Sequence, residues 1–105
     1  MKRIRVLVVD DSPFMRKTIE KTLTVDPEIE IVGMAENGSD GVALAKTLNP
    51  DVVTMDVNMP EMNGIEATRR IMRDSPRPVV MLSAYTREGA RQTIDALAAG
   101  AVDFV

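Results

Sequence analysis

The sequence contains no cysteine and no histidine among its 105 residues. Without cysteine there can be no disulfide and no thiolate metal site, which favours a reducing compartment and makes the cytoplasm the expected location. The absence of both residues leaves oxygen atoms as the principal ligands for any metal ion. A metal site in this chain would therefore be built from carboxylates and carbonyl groups.

Long apolar runs are also absent, so no stretch resembles a membrane span. The start, MKRIRVLVV, is basic and then apolar, but Asp10 interrupts it far too early for a secretory signal. A formal net charge of -3 provides no electrostatic surface for nucleic acid. The length and a hydrophobic content of 45% predict one ordinary globular domain over residues 1–105.

Five short apolar runs, rich in β-branched residues, recur along the chain about one strand and one crossover helix apart. Segments of helical period lie between them, beginning after Ser12, Asn37, Asn63 and Thr86, and Gly100 is expected to end the last one in a left-handed conformation. This alternation predicts a flavodoxin-like, doubly wound parallel sheet with strand order 2-1-3-4-5. The predicted strands cover residues 4–9, 30–35, 51–55, 77–83 and 101–105. Because such a sheet needs a last helix to cover one face, the chain is expected to be truncated before that helix.

Asp10 and Asp11 follow the first predicted strand, and Asp56 follows the third. In the predicted order these strands are neighbours, and parallel strands end at the same edge of the sheet. Three carboxylates at one edge would repel one another and raise one another's pKa, a conflict that a divalent cation removes. The oxygen ligands favour Mg²⁺ or Mn²⁺. Any single aspartate here could instead be a helix cap or a turn residue, but three at one edge favour a metal site.

Two further features lie at the same edge. Ser83 ends the fourth strand, where its hydroxyl could serve a turn or donate a hydrogen bond to an anion bound at Asp56. The stretch NMPEMNG has the composition of a loop, and Gly64 in it is expected to adopt a backbone conformation that other residues resist. Most of the eight methionines are expected to fill the core, with Met59 and Met62 as exceptions because they fall in this loop.

The segments VLVVDDS, DVVTMDVNMPEMNG, PVVMLSA and AAGAVDFV together resemble the receiver domain of two-component response regulators. The resemblance implies that Asp56 is a phosphoacceptor. It also implies that Asp11 binds Mg²⁺ directly, that Asp10 helps to hold the ion largely through water, and that the backbone carbonyl of Asn58 is a further ligand. Ser83 matches the hydroxyl residue that moves toward the phosphoryl group.

The same resemblance concerns the fifth strand and the segment after it. Phe104 matches the aromatic switch residue of receivers. Receivers also carry a lysine just past this strand that pairs with the phosphoryl oxygens, and it would fall two positions beyond Val105. The resemblance therefore implies that phosphorylation of the chain depends on a lysine and a last helix beyond Val105.

Within the family, the longest matching segments are most like the N-terminal regulatory domain of the chemotaxis protein-glutamate methylesterase. The resemblance therefore implies a histidine kinase as phosphodonor and a C-terminal output domain, with the receiver acting as a phosphorylation switch rather than as the esterase itself. The alternatives are a stand-alone receiver, a receiver with another output, or one used only as a scaffold. A Mg²⁺-dependent aspartyl-phosphate hydrolase is disfavoured because it usually needs a second aspartate at the position of Asn58.

Overall fold

The computed structural model of the protein describes residues 2–82, 99–100 and 103–104. Helices and strands alternate through these residues, as the periodicity predicts. The predicted fourth helix and Ser83 lie outside the described residues, apart from Ala99 and Gly100 at the end of that helix, and Gly100 has the predicted positive φ, 116°. The elements are β1 (Ile4–Val9), α1 (Pro13–Leu23), β2 (Ile29–Ala35), α2 (Gly38–Leu48), β3 (Val52–Asp56), α3 (Gly64–Asp74), β4 (Val79–Leu82) and β5 (Asp103–Phe104).

The strands form one sheet in the order β2-β1-β3-β4-β5, and every neighbouring pair is parallel. This confirms the predicted flavodoxin-like topology. The chain reverses its direction of travel across the sheet at β1, which has β2 on one side and β3 on the other. Ligands of such sheets bind at the carboxyl ends of the strands on either side of this reversal. A ligand site is therefore expected at the carboxyl ends of β1 and β3.

Each described helix begins at a side chain that caps it. Ser12 accepts a hydrogen bond from the backbone amide three residues on at 3.2 Å, and Asn37 and Asn63 do the same at 2.8 and 2.9 Å. These bonds satisfy amides that have no partner inside the helix. Because the caps follow the strands closely, they determine where each helix turns back across the sheet.

The core lies mainly between the sheet and the helices α2 and α3. Alternate residues of the central strands, such as Leu7 and Val53, are completely buried and pack against Ala67 and Ile71 of α3 or the residues of α2. Strands covered on both faces are expected to read as continuous apolar runs, which these do. No helix among the described residues is long and apolar enough to cross a membrane.

Some predicted details differ from the structure. Strand β2 begins at Ile29, one residue earlier than predicted, and β3 extends to Asp56. Met15, Ile19 and Leu23 recur at helical spacing and predict one apolar stripe on α1, yet Met15 is 41% exposed and the neighbouring Phe14 is 76% exposed. The first turn of α1 follows the end of β1 and lies at the rim of the sheet, so its side chains have little sheet to pack against.

Gly41 of α2 provides a test of this packing. A Cβ at this position would lie 2.9 Å from both γ-methyl groups of Val9 in β1. We expect Gly41→Ala to lower the free energy of unfolding by about 1–3 kcal/mol, although alanine is the better helix former. Urea denaturation measures the change, with the exposed Ser39→Ala in the same helix as the control. A Gly41→Ala protein as stable as the wild type would contradict the close contact between α2 and β1.

Candidate functional site

Three carboxylates meet at the edge of the sheet where β1 and β3 end. Asp10 and Asp11 directly follow β1, and Asp56 is the last residue of β3. Because Val9 pairs with Met55, the residues that come next lie side by side. One carboxylate oxygen from each of the three aspartates lies within 4.8 Å of the other two. The structure brings together the acids that the predicted strand order placed at one edge.

Asp10 is the most enclosed of the three, with only 5% of its surface exposed. Its backbone N–H donates to the carbonyl of Ala35 at 3.0 Å, and its Oδ1 accepts from the N–H of Ser12 at 2.9 Å. Burial is the main cause that raises the pKa of Asp10; the Ser12 amide opposes it, the charge of Asp11 adds to it, and the charge of Arg16 opposes it. The carboxylate is therefore held in place at an electrostatic cost.

Asp56 is partly buried, and its Oδ1 accepts from the backbone N–H of Asn58 at 3.2 Å. Burial, followed by the charge of Asp10, raises the pKa of Asp56 from 3.8 to about 6. The Asn58 amide lowers this pKa, whereas a hydrogen bond with Asp11 and the charge of Asp11 raise it further. Negative charge is thus concentrated here beyond what the surrounding protein groups neutralise.

The donor set fits a hard divalent cation. It consists of carboxylate oxygens that are close enough to share one ion, and Mg²⁺ and Mn²⁺ prefer such ligands. Burial and then the charge of Asp10 raise the pKa of Asp56, and the negative charge that repels Asp56 would attract a cation between the carboxylates. Asp10, Asp11 and Asp56 are the side chains that would hold it.

The carboxylates open into a pocket of about 370 Å³. Its floor and walls come from the ends of β1, β3 and β4 and from the first turn of α1, so the pocket spans the three central strands. Asn58, the predicted backbone ligand, lines it, and its role stays a prediction. The lining residues are Asp10, Asp11, Ser12, Met15, Asp56, Asn58 and Leu82.

The structure describes little of the two other predicted site residues, Ser83 and Phe104. Ser83 lies outside the described residues, immediately after Leu82, which lines the pocket. Phe104 is described only as a residue of β5 that pairs with Met81 of β4. The proposed roles of Ser83 and Phe104 therefore stay predictions.

The loop between β3 and α3 is held tightly against Asp56. The N–H of Gly64 donates to the carbonyl of Val57 at 2.9 Å, and a Cβ on Gly64 would collide with the carbonyl oxygen of Asp56. Gly64 was expected to need an unusual backbone conformation, but among the described residues of this loop it is Glu61 that has a positive φ, 67°. Glycine is required at position 64 because of this close approach.

Met59 and Met62 were expected to be exceptions to the core methionines. In the structure Met59 is buried in the core cluster, and Met62 packs against that cluster. Both side chains turn inward from a loop that borders the acidic site. The loop is therefore anchored in the core while its backbone contacts Asp56.

Arg16 belongs to the site, although its residue type and position do not indicate this in the sequence. It lies in the second half of the first turn of α1, and its Nη1 donates to the backbone carbonyl of Asp10 at 2.6 Å. A basic residue on an amphipathic helix is usually a solvated charge. Only its position close behind Ser12 and Pro13 could have suggested that it reaches back to the strand.

The raised pKa of Asp56 makes stability depend on pH. Between pH 3.8 and about 6 the folded protein keeps a proton that the unfolded chain has released, so its free energy of unfolding falls as the pH rises. We therefore expect Asp56→Asn to stabilise the metal-free protein by about 1–2 kcal/mol above this window, and the gain to vanish near pH 4. Urea denaturation of both proteins in the presence of a chelator, at about pH 8 and at about pH 4, measures the difference in the free energy of unfolding at each pH.

Mg²⁺ is the control for this experiment. Adding the ion should stabilise the wild type more than Asp56→Asn, because only the wild type presents all three carboxylates. If the stability difference between Asp56→Asn and the wild type is the same above the pH window as near pH 4, the proposed charge cluster is contradicted.

Gly64 tests how closely the loop holds Asp56. Gly64→Ala places a methyl group against the Asp56 carbonyl, and we expect it to lower the free energy of unfolding by about 1–3 kcal/mol and to weaken Mg²⁺ binding. The matched control is Arg69→Ala, an exposed change in the same helix. Unchanged stability and Mg²⁺ affinity in Gly64→Ala would show that the loop does not position Asp56.

Comparison with known proteins agrees with this geometry. The family model described as the response regulator receiver domain matches residues 6–105. A protein-glutamate methylesterase/protein-glutamine glutaminase from Geobacillus kaustophilus is 57% identical over 105 residues, which make up 100% of this chain and 30% of that protein. The chain thus spans less than a third of the length of this relative.

Solved structures show the same similarity. The response regulator domain of Thermotoga maritima CheB is 50% identical with a TM-score of 0.93, over 99% of this chain and 78% of that one. A chain of the CheX–CheY–BeF3–Mg²⁺ complex from Borrelia burgdorferi is 34% identical with a TM-score of 0.89, again over 99% of this chain and 78% of that one. Sequence, fold and acidic site agree: the chain is similar to the response regulator domain of CheB, and it belongs to the response regulator receiver domain family.

Proposed function

We propose that residues 1–105 form one receiver domain that accepts a phosphoryl group on Asp56 with the help of Mg²⁺. The observation that carries this proposal is the convergence of Asp10, Asp11 and Asp56, from two separate segments, on one open pocket. A structural role alone would not require three carboxylates to lie within 4.8 Å of one another. The raised pKa of Asp56 is the cost of this arrangement in the absence of a cation.

Three residues would hold the Mg²⁺ ion in different ways. Asp11 would bind the ion directly, Asp10 would hold it largely through water, and the backbone carbonyl of Asn58 would complete the protein ligands. An ion held by these residues would offset the charge that develops on the transferring phosphoryl oxygens. The Borrelia burgdorferi complex, whose chain is 34% identical to this one, contains Mg²⁺ together with BeF3, which supports the choice of ion.

In the proposed step a carboxylate oxygen of Asp56 attacks the phosphorus atom. A new O–P bond forms as the bond from phosphorus to the phosphohistidine nitrogen of the donor breaks. The electron pair of the broken bond stays on that nitrogen. The attack needs the ionised carboxylate, and with a pKa of about 6 Asp56 is mostly ionised at neutral pH. Ser83 would then donate a hydrogen bond to the phosphoryl group, and Phe104 would respond as the switch residue.

The phosphoryl donor must lie outside this domain. The sequence has no histidine, so the chain has no phosphohistidine of its own to draw upon. A histidine kinase is the partner that receiver domains use, and we assign that role here. The acidic net charge offers no surface for nucleic acid, so binding of nucleic acid by this domain is not proposed.

The output is proposed from the relatives. The Geobacillus kaustophilus protein that is 57% identical to this chain is a protein-glutamate methylesterase/protein-glutamine glutaminase, of which the matched part is 30%. We therefore place this receiver beside a C-terminal methylesterase domain of a cytoplasmic chemotaxis protein. Phosphorylation would add about -1.5 to -2 charge at the site and shift the receiver surface that restrains that domain.

Labelling tests the phosphoacceptor. The purified protein, extended past Val105 to include the lysine and last helix that receivers carry, should form a hydroxylamine-sensitive acyl phosphate when it is incubated with a labelled phosphodonor and Mg²⁺. Asp56→Asn should lower the label by at least about tenfold, because the nucleophilic carboxylate is gone. Removing Mg²⁺ with a chelator should have a similar effect.

Asp40→Asn is the matched control, since it removes an exposed carboxylate from the first turn of α2 and leaves the acidic site intact. It should be labelled as well as the wild type. If Asp56→Asn is labelled as strongly as Asp40→Asn, Asp56 is not the phosphoacceptor and the proposed function fails.

A further inference from the structure

Arg16 connects the first turn of α1 to the end of β1. Its Nη1 donates to the carbonyl oxygen of Asp10 in a short hydrogen bond of 2.6 Å. The backbone N–H of Arg16 donates to the carbonyl of Ser12 at 3.0 Å, which places it in the first helical turn. Arg16 therefore closes a loop that begins at Asp10, passes through the Ser12 cap and returns to Asp10.

Asp10 is constrained on three sides as a result. Its N–H is bound by Ala35, its carbonyl oxygen by Arg16, and its carboxylate by the N–H of Ser12. Bonds to both ends of a residue limit the rotation of its backbone, and the third bond orients the side chain. Since Asp10 is almost completely buried, its carboxylate has little freedom to recover this orientation if one of the bonds is lost.

The position of Arg16 is unexpected on charge alone. A guanidinium next to a cluster of carboxylates competes electrostatically with a divalent cation for the same negative charge. If charge were its only effect, removing Arg16 would strengthen cation binding. If its hydrogen bond orients Asp10, removing Arg16 would weaken cation binding, because partners that orient metal-binding groups commonly contribute ten- to a hundredfold to affinity.

We infer that Arg16 is a positioning residue for the cation site: its guanidinium holds the backbone of Asp10 so that the Asp10 carboxylate faces Asp11 and Asp56. This inference rests on the proposed function, since it concerns the same Mg²⁺ site. Its distinctive consequence is that the loss of a positive charge next to the site weakens the binding of a positive ion.

Calorimetric titration with Mg²⁺ at about pH 8, where Asp56 is ionised, tests this consequence. Arg16→Met removes both the donor and the charge, and we expect about tenfold weaker binding than in the wild type. Arg16→Lys keeps a donor and the charge, and should restore binding to within about threefold of the wild type. Lys17→Met removes an exposed charge from the neighbouring position of α1 and should bind Mg²⁺ at least as tightly as the wild type.

Amide exchange of Ser12 in the metal-free protein provides a second, independent measurement. The Ser12 N–H donates to Asp10, so its exchange should become about tenfold faster in Arg16→Met and stay unchanged in Lys17→Met. Thermal unfolding verifies that each variant is folded, and Arg16→Ala, which also lacks a donor, replaces Arg16→Met if the latter does not fold. Equal or tighter Mg²⁺ binding in Arg16→Met, or unchanged exchange of Ser12, would overturn the role of Arg16.

The two measurements also separate this inference from the proposed function. If the wild type itself does not bind Mg²⁺, the proposed function fails. The exchange of Ser12 then still decides whether Arg16 holds Asp10, because that measurement needs no metal ion.

Discussion

Repulsion among three carboxylates is the constraint on which this edge of the molecule depends. Asp10, Asp11 and Asp56 cannot move apart, because two are adjacent in the chain and the third ends the neighbouring strand. Burial of Asp10 deprives it of water that would screen the repulsion. Burial, followed by the charge of Asp10, raises the pKa of Asp56 to about 6. Either a proton or a divalent cation relieves the repulsion.

The backbone around the acids keeps them in this unfavourable arrangement. Amides of Ser12 and Asn58 each donate to one carboxylate, and they belong to the turns that immediately follow β1 and β3. Gly64 lets the next helix begin directly against the carbonyl of Asp56. The energy that holds the site together thus comes from strand pairing and helix packing elsewhere, in the buried layer between the sheet and the helices α2 and α3.

This anchoring bears on how a receiver could report a change at Asp56. The loop after β3 contacts Asp56 through its backbone while Met59 and Met62 pack in or against the core. A change of charge at Asp56 would therefore act on a segment that is bonded at the site and packed in the interior. Close packing of this kind transmits small displacements instead of absorbing them, which suits the switching role that we propose for the domain.

Much of the architecture was predictable because it depends on local patterns. Strand runs, the caps Ser12, Asn37 and Asn63, and the parallel order follow from residue types, turn chemistry and the handedness of crossovers. The meeting of Asp10 with Asp56 follows in turn from that order. Sequence alone thus determined which elements form and which acids end the two central strands.

Only the tertiary structure decided how those acids are held. Whether glycine at position 64 serves a turn or a close approach depends on the distance to Asp56, and distances between separate segments leave no local signal. The inward packing of Met59, the exposure of Met15 and the return of Arg16 to Asp10 depend in the same way on where helices lie relative to the end of the sheet. The physical reason is that periodicity reports which face of an element is apolar, whereas contacts at an element's end depend on how its neighbours are placed in three dimensions.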